Sequence, residues 1–257
     1  MKESIPPILR PEHLQPVSFA ALVRDFTLGW RQSGDASITG ISMNTGDLRA
    51  GDLFVAMPGL KTHGANFAGK AKDLGAVAIV TDAAGAALID SDLPLAILEK
   101  PREHLGELAA YVYGNTEGNM PTLFGTTGTN GKTSTSYLLE AMLRQLGRVT
   151  GLTSTAERHI AGEVIVSRLT TPESTEMHAL IARMREKSVT DVAIEVSAQA
   201  LTQLRVDGLH FDVVGFTNLS HDHLDDYGDM QTYFKAKAQL FTKHRATKGV
   251  VCLDSEY

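Results

Sequence analysis

From Leu53 onward the chain alternates short β-rich runs with helical ones, and this alternation restricts the fold more than any other feature. LFVAM (Leu53–Met57), VAIVT (Val77–Thr81) and LAIL (Leu95–Leu98) predict strands; the runs 65–76 and 102–113 predict helices. Strands separated regularly by helices pair in parallel, with the helices crossing over, so an α/β domain is expected. GNTEGNMP, Gly114 to Pro121, interrupts the series with turn formers and reads as a boundary.

A second α/β series follows at once. TLFGTT predicts a strand, 133–146 a helix, VTGLTS a strand, and HIAGEVIVS a hairpin arm turning at Ala161-Gly162. Residues 173–187 predict a helix, DVAIEVS and DVVGFTN strands, 230–243 a helix, and GVVCLD a last strand. No helix follows that strand, so the second sheet reads as the opening part of a longer domain. The expected organisation is an N-terminal α/β domain over 1–117. After it, 118–257 forms part of a P-loop-type, mostly parallel sheet with helices on both faces.

Within the second series, TGTNGKTS has the three parts of a phosphate cradle: a delivering strand, small loop residues and a helix N-terminus. The candidate nucleotide-binding residues are Gly125, Thr126, Thr127, Gly128, Thr129, Asn130, Gly131, Lys132, Thr133 and Ser134. Lys132 would neutralise β- and γ-phosphates, and the Thr133 hydroxyl would face Mg²⁺. The general pattern wants glycine where Thr126 stands. Downstream, one predicted strand ends on Glu195 and another on Asn218, before a polar loop holding His221, Asp222, His223, Asp225 and Asp226. Strand carboxyl ends are where open α/β sheets hold ligands. The cluster reads either as a cation site facing the loop or as a solvated loop with a helix cap.

A formal net charge of −6 argues against a nucleic-acid partner. The N-terminus lacks an apolar run that could serve as a signal peptide or membrane span, so a cytoplasmic location without membrane insertion is expected. The single cysteine, Cys252, lies in an apolar run and is expected to be buried.

TGTNGKTS, LTTPES, EVSAQAL, FTNLSHDHLDDYGDM and YFKAKAQLF, in this order and spacing, resemble the Mur ligase family. They are most similar to its MurE members, which add the third amino acid to UDP-N-acetylmuramoyl-L-Ala-D-Glu. GDLFVAMPGLKTHGANF is similar to the UDP-binding domain of the same members, and the resemblance runs from about Ile38 to the end. The family's own loop carries threonine at the Thr126 position. The resemblance implies ATP and Mg²⁺ as cofactors, an acyl-phosphate route, and UDP-MurNAc-L-Ala-D-Glu and a free amino acid as substrates; a monomer is expected. It also implies that the family's C-terminal domain lies outside this chain, which alone should then have little or no ligase activity.

Residue by residue, the resemblance assigns catalysis to Lys132, Glu195, His223 and Lys237, the last as a carbamylated lysine. Metal ligands would be Thr133, Glu195, His223 and Lys237. Substrate contacts would be Thr45, Leu60, Lys61 and Thr62 for the UDP part, and Thr170, Thr171, Ser197, Gln203 and Arg205 for the muramyl-peptide. Lys235 reads as an ordinary surface lysine. The chain departs from the family at Ala198-Gln199 (usually Ser-His), at Asn44-Thr45-Gly46 (usually Asp-Ser-Arg) and at Leu169 (asparagine in some members). Rival readings are a folylpolyglutamate synthase, MurF or cyanophycin-synthetase type of ligase, a P-loop kinase or regulatory ATPase, and a binding module without turnover.

Overall fold

The structure is a computed structural model that describes residues 8–222 and 224–252. In the first half, β1 (Val17–Ser18) leads into α1 (Phe19–Asp25), followed by β2 (Gly29–Gln32), β3 (Ser37–Ile38) and β4 (Gly40–Ser42). Then come β5 (Asp52–Ala56), α2 (Ala68–Asp73), β6 (Ala78–Thr81), α3 (Ala83–Leu88), β7 (Leu95–Ile97) and α4 (Pro101–Val112). The main sheet has the order β2-β7-β6-β5-β4, parallel except for β2. The predicted helix over 65–76 begins instead as a 3-10 turn, Gly64–Phe67, capped by His63 accepting from the Ala65 N–H.

The second half contains β8 (Thr122–Thr127), α5 (Lys132–Gln145), β9 (Thr150–Thr153), β10 (Glu157–Ile160), β11 (Glu163–Val166) and α6 (Ser174–Glu186). β12 (Asp191–Glu195), α7 (Ala198–Thr202), β13 (Phe211–Phe216), α8 (Leu224–Tyr227), α9 (Met230–Ala238) and β14 (Ala246–Val251) complete it. The order is β11-β10-β9-β12-β8-β13-β14, parallel from β9 to β14, with β10 and β11 as the expected antiparallel arm. The register sets Thr126 between Glu195 on β12 and Gly215 on β13, at the carboxyl ends of three adjacent strands.

Apolar layers cover both faces of the first sheet. Phe19, Leu22, Leu105 and Leu108 fill one side, and Ala65, Ala68, Ala71 and Ala86 fill the other. In the second half, Met177, Leu180, Ile181 and Met184 of α6 pack on Leu123, Val192, Ile194 and Phe211 of the sheet. The two halves share a core, because Ala179 and Ala182 of α6 also join the layer beneath α4. Their backbones touch there: a Cβ on Gly106 would lie 2.0 Å from the Asp207 carbonyl oxygen. Cys252 corrects the expectation of burial. It is exposed, because β14 is an edge strand with Val250 and Val251 also exposed. Among the described residues no helix is long and apolar enough to cross a membrane.

Candidate active site

β8 delivers the loop and α5 continues from it, as a phosphate cradle requires. Gly125, Thr126 and Thr127 belong to the strand and are buried, so the position lacking the usual glycine is a strand residue rather than a turn. Thr126 accepts from the Val196 N–H through its carbonyl. The turn proper falls on Gly128, with φ +143°, where a Cβ would come within 1.9 Å of Thr217 Oγ1.

The β13–α8 loop lashes this turn in place. The Thr129 N–H donates to the Asn218 carbonyl (2.9 Å) and the Asn130 N–H to Asn218 Oδ1 (3.0 Å). Thr217 Oγ1 donates to the Asn130 carbonyl at 2.7 Å. The amides that open α5 are left over. Gly131 caps the helix with no side-chain hydrogen bond, and the first-turn N–H groups of Lys132, Thr133 and Ser134 have no intrahelical acceptor. An uncapped fourteen-residue helix at a glycine turn fits a phosphate group.

Two lysines converge on the same carbonyl. Lys132 Nζ donates to the Gly128 oxygen at 3.1 Å and to the Thr129 oxygen at 2.9 Å. Lys237 Nζ, from α9, donates to the Gly128 oxygen at 2.7 Å and sits 4.4 Å from the Tyr233 ring centre. Lys237 is 1% exposed. Burial, reinforced by the neighbouring Lys132 charge and opposed by Asp222, brings its ammonium down to about 7. Burial also lowers Lys132. Lys235, two residues from Lys237, is exposed as expected.

Glu195, 2% exposed, ends β12 beside the loop. Its Oε2 accepts from Thr133 Oγ1 (3.0 Å) and from the Thr155 N–H (2.9 Å), while Oε1 accepts from Thr155 Oγ1 (3.1 Å). Thr155 escaped the sequence reading; it follows β9, forty residues from Glu195, and no local pattern marks it. Thr133 and Glu195 together fit Mg²⁺, an oxygen-seeking ion that binds one or two carboxylates and completes its shell with phosphate and water. His223 lies outside the described residues. Among the described residues no cluster of three or more His, Cys, Asp or Glu could hold a metal.

A cavity of about 320 Å³ opens beside these groups, lined by Lys132, Thr155, Glu195, Tyr233 and Lys237. Thr170, Ser197 and Arg205 line it too. Ser197 caps α7 by accepting from the Ala200 N–H. Thr171 is fully buried; its hydroxyl donates to the Glu195 carbonyl (2.9 Å) and accepts from the Ser197 N–H (3.1 Å), holding the loop to the strand end. Arg205 donates from Nε to Glu173 and from Nη2 to Gln203 Oε1. Gln203 lines a larger cavity, of about 1160 Å³, on the first half, together with Leu60, which is fully exposed. Thr45 and Thr62 line a third of about 380 Å³. Lys61 is exposed and borders none of these cavities.

The model of the Mur ligase middle domain matches residues 126–257, and the model described as Mur ligase family, catalytic domain, matches residues 37–113. A UDP-N-acetylmuramyl-tripeptide synthetase of Leifsonia xyli subsp. xyli is 54% identical over 254 residues, covering 98% of this chain and 49% of the relative. A UDP-N-acetylmuramoyl-L-alanyl-D-glutamate--2,6-diaminopimelate ligase of Streptomyces avermitilis is 46% identical, covering 96% and 49%. The chain thus spans about half the length of the curated relatives it matches. Among solved structures, a UDP-N-acetylmuramoyl-L-alanyl-D-glutamate--2,6-diaminopimelate ligase superposes with a TM-score of 0.71 at 23% identity, over 86% of this chain and 44% of that one. The MurF ligase of Thermotoga maritima in complex with ADP superposes at 0.60 with 24% identity, over 84% and 46%.

Proposed function

Because the chain belongs to the Mur ligase family, we propose that it carries the nucleotide and UDP-sugar-peptide sites of an ATP-dependent, ADP-forming amide ligase. The ligase adds meso-diaminopimelate or L-lysine to UDP-MurNAc-L-Ala-D-Glu, in the cytoplasm, during peptidoglycan precursor synthesis. The observation that carries this reading is the uncapped start of α5 beside the Thr133–Glu195 pair and the buried Lys237. The division at 1–117 and 118–257, and a monomeric state, belong to the same proposal.

In the first step a substrate carboxylate oxygen bonds to the γ-phosphorus as the bond to the ADP oxygen breaks. The amine nitrogen then attacks the acyl carbon, phosphate departs, and the amine gives up a proton. An anion must approach a triphosphate, so donors and cations have to surround the γ-phosphate. Lys132 and the amides of Gly131 to Ser134 supply them, Lys132 exchanging its two carbonyl acceptors for phosphate oxygens. Mg²⁺ would supply positive charge to offset that of the phosphates. Thr133 and Glu195 would hold it, and Thr155 keeps Glu195 aimed. His223 and Lys237 would complete a second such position, Lys237 after its amine adds CO2. A buried amine at about 7 is roughly half neutral at neutral pH, and only the neutral amine reacts. Thr170, Ser197 and Arg205 would face the peptide; Thr45, Leu60, Lys61 and Thr62 would face the UDP part.

Calorimetry with UDP-MurNAc-L-Ala-D-Glu, and with a non-hydrolysable ATP analogue plus Mg²⁺, tests the reading. Binding of both ligands is expected, with a mass increase equal to one CO2 on the peptide containing Lys237. Binding of the nucleotide without any binding of the UDP-sugar-peptide would overturn the ligase assignment in favour of a P-loop kinase or ATPase.

A further inference from the structure

Arg102, at the start of α4, was not singled out by any motif. Its Nη1 donates to Glu173 Oε2 at 2.7 Å, while Arg205 Nε donates to the other oxygen, Oε1, at 2.8 Å. One carboxylate from the second half therefore fixes two guanidinium groups, one from each half. The two are unequally used. Arg205 is also held by Gln203 and is only 11% exposed. Arg102 is 34% exposed; among the described residues it donates to Glu173 and, weakly, to Met43 Sδ at 3.6 Å, both from Nη1, and its Nε and Nη2 have no hydrogen-bond partner there.

Those open donors belong to a residue on the wall of the 1160 Å³ cavity, which Gln203 also lines. Gln203 is bonded to Arg205, which lines the cavity beside Lys132 and Glu195. The bridge thus stands where the first-half cavity meets the nucleotide side. Most of the larger wall is apolar, with Met43, Met57, Pro58, Ala83 and Ile97, a surface suited to a base or sugar. Its other cation, Lys100, is paired with Glu103 at 3.1 Å. Of the acidic residues on the wall, Asp82 is engaged by the Gly85 N–H and His63. Glu99 carries charge of the sign that repels an anion, which leaves the Arg102 edge as the attractive position.

We propose that Arg102 is a substrate-binding residue whose open guanidinium edge, aimed by Glu173, takes the diphosphate of a nucleoside-diphosphate sugar seated in this cavity. A planar fork presented edge-on suits paired phosphate oxygens. Glu173 acts as the positioning residue, coupling this contact to Arg205 across the two halves. The assignment rests on the ligase reading above.

The test is calorimetric titration with UDP-MurNAc-L-Ala-D-Glu and, separately, with UDP, checking each variant for folding by its thermal melt. Arg102→Ala is expected to weaken both ligands about tenfold or more, the scale of a charge-assisted contact. Arg102→Lys should recover part of that loss, and Glu173→Gln should weaken both ligands because both arginines lose their aim. Wild-type affinity in a folded Arg102→Ala variant would overturn the assignment and leave the ligase reading standing. A loss confined to the peptide-bearing ligand would transfer the contact to a peptide carboxylate and overturn the diphosphate assignment. A wild-type chain that binds neither ligand overturns both readings. If Arg102→Ala does not fold, Arg102→Gln replaces it with the same criteria.

Discussion

The two helices that sandwich the second sheet are built on opposite rules. α6 turns Met177, Leu180, Ile181 and Met184 onto the strands and buries them completely. α5 buries only Ser136 and Glu140, while Leu138, Met142 and, at its C-cap, Leu146 stand 65%, 56% and 77% exposed. Directional bonds replace apolar area beneath α5. Glu140 accepts from Thr150 Oγ1 (3.1 Å) and faces His159 Nδ1 at 2.7 Å, and His159 stacks edge-on against Tyr137. The α6 side has a buried pair of its own, Arg158–Glu176, at its margin. Apolar burial is large but non-directional, so α6 supplies stability. Hydrogen bonds fix orientation, and α5 is the helix whose first turn is proposed to face a phosphate.

The largest expected effect separates the two layers by function. Lys132→Ala, on α5, should abolish detectable nucleotide binding in calorimetry while leaving the thermal melt nearly unchanged. Equal loss of folding would mean that the lysine is structural and the contrast false. Leu180→Ala, on α6, should do the reverse. It should cost about 2–5 kcal/mol in denaturant unfolding, as lost burial plus a cavity, without changing nucleotide affinity in the folded protein.

A third test sharpens the α6 side. His178 is fully buried, donates from Nε2 to the Asp207 carbonyl (3.0 Å), and so presents Nδ1 as acceptor to Asn115 Nδ2 (3.1 Å). Burial pushes it from 6.5 to about 4, the Asp207 carbonyl partly opposing. The unfolded chain therefore takes up this proton first as pH falls. The contribution is fully present above about pH 6.5 and is lost between there and about pH 4, by about 3 kcal/mol. His178→Gln should flatten the stability profile in that window relative to the unsubstituted chain; an unchanged slope would deny the histidine this role. The smallest effect belongs to Lys235→Ala, which should leave binding and stability alike unaltered.

Much of the fold was legible because its signals are local. The strand, turn and helix around Gly128 lie within one continuous stretch, and the alternating series from Leu53 to Val251 gave nearly every strand its place. The region before Leu53 was not legible: β2, β3 and β4 follow one another with no helix between them, so the alternation that marks the later strands is absent there. The outcome for Cys252 failed for a different reason, since an apolar run cannot report that its strand lies at an edge.

What the residues alone determined was the strand, glycine turn and helix around Gly128, with Lys132 at the helix start, and the α/β order, since each depends on neighbours a few positions away. Only the tertiary structure decided which face α5 buries, that Thr155 reaches Glu195 across 40 positions, and that Glu173 joins Arg102 to Arg205 across 71 and 32. Contacts at such separations follow from how layers stack and strands register, and helical or strand periodicity is indifferent to both.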